Sequence, residues 1–428
     1  MLRFSQRISS FMLASALSAA LLFSGGALHA QTAAPPGAAG PAAPGGPPPP
    51  PPESLIPDGE APPMRSVPPA FPPAIPNIDY GARLRTALMA QSAKDPSKMD
   101  GLGQMLEGDL YMNGQVHRYF AWQFAITFAY PGKPGSPNTA TFAPLDVIAK
   151  FEPLKEFNIY AGRMLVQADR FTPGGPWGLD EFFYPGFFPL VGAPALPKAG
   201  PQGRDVGVTV WGAPFDGHFK YYVGAFQLHD PALKPLFTGR LQLSLLSPEP
   251  AFYQRTTYFG TKDLVSFGVG AQYQAAGSVQ PVAPPAAGMP PVVPLTDDFS
   301  SVTGDVNVEK ILGSAGTVSA VGQVSSFQGD YQRWRSYWVA SLGYLMPKPI
   351  GIGKIRGTIR YQSAIDPSPG AKASTLIDAQ VSYNVAAWYA RVALGFRHGS
   401  TYLPGAPMVP GITQDSNMAY LGITLADP

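Results

Sequence analysis

From Ile78 onward the chain is written in short segments whose apolar and polar positions alternate, separated by Gly, Pro and Asp. A period of two is the mark of a β-strand with two unlike faces. The clearest case is 119–128, where Phe120, Trp122, Phe124, Ile126 and Phe128 fall on one side and Tyr119, Ala121, Gln123, Ala125 and Thr127 on the other. The same pattern returns in Arg240–Leu245, Val265–Gln274, Lys354–Gln362, Trp388–Arg397 and Asn417–Leu425. An apolar face repeated on strand after strand must cover either a soluble core or lipid. The opposite face decides between them. In a soluble sandwich it is usually dense in Lys and Glu. Here it holds Gly, Ser, Gln and Thr with isolated arginines, the composition of a crowded aqueous lumen.

A pass along the alternation predicts about sixteen strands, an even number as a closed up-and-down barrel requires. Short turns are expected at Asn113-Gly114, 153–156, 215–217, 313–316, 347–351 and 384–386, alternating with long loops at 93–104, 130–143, 168–204, 276–299, 364–373 and 399–415. In such barrels short turns face the periplasm and long loops face outward. Two connections break the rule. The outward loop 329–333 is short, and 247–261 is long for a periplasmic turn.

The N-terminal part reads differently. Arg3 and Arg7 precede an apolar stretch from Phe11 to Phe23, then Gly25, Gly26 and Leu28-His29-Ala30 before Gln31. This is the three-part layout of a secretory signal peptide, expected over 1–30. The apolar stretch falls short of the roughly 20 residues that a membrane helix needs. Residues 31–77 are Pro, Ala and Gly, with an unbroken run from Pro47 to Pro52, and are expected to be a disordered periplasmic linker. It serves either as a spacer or as a contact to the cell wall. The barrel domain is then 78–428.

Composition supports the membrane reading. Charged residues make up 14% of the 428 and aromatics 12%, whereas a soluble domain carries about 25% charged residues. With Cys 0 there is no disulfide, thiol nucleophile or Cys-bound metal. No basic patch points to nucleic acid, and no phosphate loop or metal-ligand spacing appears, so no cofactor is implied. The fold class expected is all-β, a transmembrane antiparallel up-and-down barrel in the outer membrane of a Gram-negative cell, with membrane lipid as its first partner.

Tyr160-Ala161-Gly162-Arg163-Met164-Leu165-Val166-Gln167-Ala168-Asp169-Arg170, followed by Gly174-Gly175-Pro176-Trp177, resembles the strand-to-loop junction of porin-like proteins of general or phosphate-selective type. With the strand count, the resemblance to Gram-negative porins covers about residues 78–428. It implies passive diffusion of small hydrophilic solutes, a homotrimer, and a third outward loop that folds inward to narrow the pore. Constriction residues would then be Asp169, Arg170, Trp177, Asp180, Glu181, Phe182, Phe183 and Tyr184. General porins carry acidic residues there. The run Phe182, Phe183, Tyr184, Phe187, Phe188 either pins the loop to the barrel wall or a neighbouring subunit, or offers a sliding surface to an apolar or sugar-like solute. The chain ends Leu425-Ala426-Asp427-Pro428, where the family typically ends in phenylalanine.

Alternation places Arg83, Arg85, Lys220, Arg240, Lys354, Arg356, Arg360, Arg391 and Arg397 on the lumen face. Arg163 is expected to join them through a bulge, since Ile159 and Ala161 share its parity. Acidic candidates are fewer: Glu107, Asp109, Asp146, Asp305, Glu309 and Asp378. Rings of one sign set ionic preference in a narrow pore. The surplus of arginine gives weak anion preference, or else the charges pair into a ladder with no net field. Two further functions stay open: a plugged structural or adhesive barrel, and a barrel enzyme. The last would need a nucleophile beside His117, His218, His229 or His398, and no such motif accompanies them, so the chain is not expected to be an enzyme.

Overall fold

The computed structural model describes residues 77–92, 101–132, 141–175, 177–185, 198, 203–230, 232–280, 293–332, 334–365, 373–401 and 414–426. The expected signal peptide and Pro-rich linker lie outside the described residues, except for Asn77, which opens the first strand.

Sixteen strands form one closed antiparallel barrel. They are β1 (Asn77–Gln91), β2 (Gly101–His117), β3 (Phe120–Gly132), β4 (Thr141–Leu154), β5 (Phe157–Leu165), β6 (Arg204–Gly212), β7 (Phe219–Phe226) and β8 (Leu236–Ser244). The second half is β9 (Leu264–Val279), β10 (Thr296–Ile311), β11 (Thr317–Gln328), β12 (Ser336–Leu345), β13 (Lys354–Ile365), β14 (Ser374–Ala386), β15 (Ala390–Thr401) and β16 (Gln414–Ala426). Each strand pairs with its neighbours in sequence, and β1 closes on β16 with Arg83 opposite Ala426 and Gln91 opposite Met418. Closure leaves no unpaired sheet edge, the condition a sheet must meet inside a bilayer.

The alternation seen in the sequence is the alternation of the wall. Outside stand Leu88 (60% exposed), Val223, Ile359 and Leu394 (64%), while Arg356 and Arg360 on the same strand as Ile359 are 0% exposed. Such an exterior is stable only against hydrocarbon, since a water-exposed apolar belt would cost about 25 cal/mol per Å². The aromatic face of β3 belongs to it, with Phe120 and Ile126 exposed.

Two expected turns are corrected. Residues 384–386 end β14, paired with β15, and the chain reverses at 387–389. Asn113-Gly114 lies inside β2, and the chain reverses at Arg118-Tyr119. Asn-Gly is a strong hairpin signal, but here Gly114 pairs with Trp122, and a Cβ at 114 would stand 2.4 Å from the indole. The glycine makes room for a ring on the neighbouring strand. With those corrections the connections at one end of the barrel are short, apart from 245–263.

Candidate functional site in the barrel lumen

Two connections enter the lumen, one from each end. The first leaves β5 at residue 166 and returns at β6. Its backbone runs against the wall at once, because an ideal Cβ on Gly270 would stand 2.0 Å from the Ala168 carbonyl oxygen. Asp169 then accepts from the Thr172 N–H at 2.6 Å and the Thr172 hydroxyl at 2.9 Å, which sets the single helical turn α1 (Phe171–Gly174). A carboxylate three residues ahead of a helical N–H is the usual way to satisfy such a donor. Beyond α1, Leu179, Asp180, Glu181, Phe182 and Phe183 are all buried.

The second connection is 245–263, from the end with the short turns. It carries Glu249, Phe252, Gln254, Thr256, Thr257 and Phe259, all buried. Wall residues hold it along its length. Lys220 Nζ donates to the Ala251 carbonyl at 2.9 Å and the Tyr222 hydroxyl to the Phe252 carbonyl at 2.9 Å. The Glu309 carboxylate accepts from the Thr257 hydroxyl (2.7 Å) and from the N–H groups of Tyr258 (2.7 Å) and Gly260 (2.6 Å).

The two connections meet. Arg170 makes a two-pronged ion pair with Glu249, at 2.6 and 3.2 Å, and also donates to the Arg255 carbonyl at 2.9 Å. Thr256 N–H donates to the Gly178 carbonyl at 3.1 Å, and Asp180 N–H to the Thr256 hydroxyl at 2.8 Å. Glu249, buried and opposed by Arg170 and Lys220, is held down at about 2, the positive charges outweighing a burial that alone would raise it.

Asp169 behaves in the opposite sense. Its burial pushes it up to about 6 from an ordinary 3.8, against the two Thr172 hydrogen bonds, which favour the charged form. Because the folded value lies above the unfolded one, the native loop holds this proton more tightly than the open chain. The stabilisation from protonation is full below the ordinary carboxylate value and is lost as pH rises through about 6. The expected result is fewer loop-driven current fluctuations at pH 4.5 than at pH 7.5 in single-molecule recordings. Asp169→Asn should flatten that dependence, and an unchanged dependence would rule Asp169 out as its source.

The expected lumen residues sit as follows. Arg356 forms a fork with Asp180 of the inward loop, at 2.6 and 2.5 Å. Arg360 pairs with Asp378 at 2.9 Å and Glu181 at 3.3 Å, and donates to the Phe183 carbonyl at 2.9 Å. Arg397 shares Asp378 and lies over the Phe183 ring. Arg391 donates to the Asp180 carbonyl at 2.7 Å and the Leu179 carbonyl at 3.2 Å. Arg240 forks onto Asp305 at 2.5 and 2.9 Å. Arg85 binds Glu107 at 3.0 Å and the Phe182 carbonyl at 2.8 Å. Lys354 is half-buried at the end with the short turns, and Arg83 is half-buried beside Tyr111 and Trp177. Trp177 N–H donates to Asp109 at 2.5 Å. Phe182 and Phe183 pack on Ala87, Met89, Met105, Ala393, Met418 and Tyr420, so these rings face the wall. Tyr184 is half-buried, and Phe187 and Phe188 lie outside the described residues.

Arg163 is corrected. β5 pairs with β4 in continuous register at this point, with no bulge, and Arg163 stands opposite Val147, which is 44% exposed on the outer face. It therefore shares the outward side with Ile159 and Ala161, and its Nε donates to the Pro144 carbonyl at 3.1 Å.

Sequence reasoning passed over Glu249, Gln254, Thr256 and Arg204, the last of which binds Asp146 at 2.7 Å. The excess length of 247–261 was the available signal. Length shows that a segment must go somewhere, and only the partners on β7, β8 and β10 show that it goes inward. Among the described residues no group of His, Asp and Glu is arranged to hold a metal ion. His229 stands 3.7 Å from Asp205, and His218 and His398 contact the Ser244 carbonyl and Asn417.

A closed sixteen-strand barrel with a lipid-facing belt and a third loop folded into a charged lumen defines a porin-like barrel. Neither a family model nor a curated protein matches the sequence. Among solved structures the chain is similar to OmpT lacking loop L8, an outer membrane protein of Vibrio cholerae, with TM-score 0.53 and 15% identity over 82% of this chain and 99% of that one. A trimer form of OmpT gives TM-score 0.52 and 16% identity, over 82% and 99%. Salmonella typhi OmpF in complex with daunomycin gives 0.52 and 10%, over 82% and 97%. An anion-selective porin from Comamonas acidovorans gives 0.50 and 11%, over 82% and 100%. At these identities the likeness is one of fold.

Proposed function

We propose that the chain is an outer-membrane pore of low conductance, through which small hydrophilic solutes diffuse along one side of the barrel with a weak preference for anions. The observation that carries this reading is the uneven burial of the lumen wall. From β6 to β16 the inward charged side chains at the strand centres are buried under the two inserted connections. On β1–β4 the inward residues Arg83, Glu107, Tyr111, Gln123 and Lys150 are half-buried, interspersed with the buried Arg85, Asp109 and Asp146, whereas none of the central charges from β6 onward is exposed to that degree. Water and solute would follow that side.

Most of the wall charge adds little to selectivity on this reading. A cation within hydrogen-bonding distance of a carboxylate leaves only a short-range dipole, and selectivity follows net fixed charge. The preference for anions therefore comes from cations outside the pairs. The trimer form of OmpT supports a homotrimer for this chain as well.

A second reading, a plugged structural barrel, is favoured by the burial of Arg240, Arg356 and Arg360 to 0–1%. Conductance separates the two. Refolded protein in a planar bilayer should give discrete small steps, with a reversal potential on the chloride side of a KCl gradient. Silence from a folded, heat-modifiable barrel would sink the diffusion reading and leave the plugged one.

A further inference from the structure

We propose that Arg83 is the binding station for a permeating monoanion, with a small carboxylate as the solute it fits. This deepens the diffusion reading and rests on it.

The other inward arginines of the wall are committed to partners. Arg85, Arg240, Arg356, Arg360 and Arg397 each hold a carboxylate, and Arg391 holds two backbone carbonyls. Arg83 is placed otherwise. Its guanidinium carbon lies 4.6 Å from the centroid of the Tyr111 ring and 5.8 Å from that of Trp177. The residue opposite it on β2 is Asp109, a natural ion-pair partner. Yet one oxygen of that carboxylate accepts the Trp177 indole N–H at 2.5 Å. Asp109 thus fixes the ring brought in by the inward loop, and the ring in turn stands by the guanidinium.

A guanidinium held by aromatic rings keeps its N–H groups in its own plane, and that edge is the fork that matches a carboxylate. The rings fix the fork without neutralising it, and the side chain is half-buried on the side of the lumen left open. Asp109 stands opposite Arg83 on β2, while Glu107 is held by Arg85, so one carboxylate group fits beside Arg83 and a second would have to lie near Asp109. Chloride can use the positive charge but has no second oxygen for the fork. The station should therefore tell carboxylate from halide by geometry.

The test is single-channel recording of the full refolded chain in KCl, with acetate or benzoate added to one side. Wild type should show a concentration-dependent reduction of open-channel current by the carboxylate. Arg83→Gln should lose that reduction and move the reversal potential away from the chloride side. Arg83→Lys, which keeps the charge but not the fork, should keep the reversal potential and lose most of the carboxylate effect. Heat-modifiable migration checks that each variant is folded. A conducting Arg83→Gln channel with unchanged reversal potential and unchanged block would overturn the assignment and leave the diffusion reading standing. A silent wild type would remove both, and carboxylate effects equal in Arg83→Lys and wild type would remove the fork.

Discussion

Glu249→Ala is expected to convert small conductance steps into larger, noisier ones while the barrel stays folded. Arg170 is 0% exposed and Glu249 is its carboxylate partner, at 2.6 Å. Removing one member of a buried pair leaves the other charge uncompensated, at a cost of about 3–5 kcal/mol. That cost falls on the interlock, since the wall is held by an unbroken ring of backbone ladders that does not pass through Arg170. The inward loop then loses its hold on the 245–263 segment, and the closed side of the lumen gains water. Glu249→Gln should do less, because a neutral amide still offers an acceptor. Wild-type conductance in Glu249→Ala would mean that the hydrogen bonds at Gly178, Thr256 and the Arg255 carbonyl hold the interlock without the ion pair.

Gly270→Ala is expected to expel the start of the inward loop. The new methyl carbon would lie 2.0 Å from the Ala168 carbonyl oxygen, and the obstacle is backbone rather than a movable side chain. Over-packing of this kind costs about 1–3 kcal/mol where the structure can shift. Here the shift must move the loop, because Gly270 is paired on both sides by β8 and β10. The expected readouts are raised conductance and protease cleavage within 166–185, with heat-modifiability kept. Gly357→Ala is the control. It lies in β13, and its Cβ would meet nothing within 4 Å. Equal behaviour of the two variants would show that the loop is not seated against Gly270.

These two effects also mark how far the residues could be read without the fold. The lumen assignments of Arg240, Arg356, Arg360, Arg391 and Arg397 follow from parity, because adjacent side chains of a strand point to opposite faces. Arg163 failed for an instructive reason. Its parity was correct as written, and the bulge invoked to bring it inward does not exist. Asn113-Gly114 failed because a glycine that admits a neighbouring ring looks, one residue at a time, like a glycine that makes a turn.

The alternation of polarity is a local property, visible within ten residues, so the chain alone settled that there would be many two-faced strands, lipid outside and a polar lumen within. What each inward charge touches is not local. Asp180 and Arg356 are 176 positions apart, and Arg170 and Glu249 are 79 apart. Whether the arginines would line an open pore or fasten two inserted segments depended on where connections from opposite ends of the barrel came to rest. Only closure of the sheet brings those partners within hydrogen-bonding distance, and only then do most of the inward arginines find a carboxylate or carbonyl to hold.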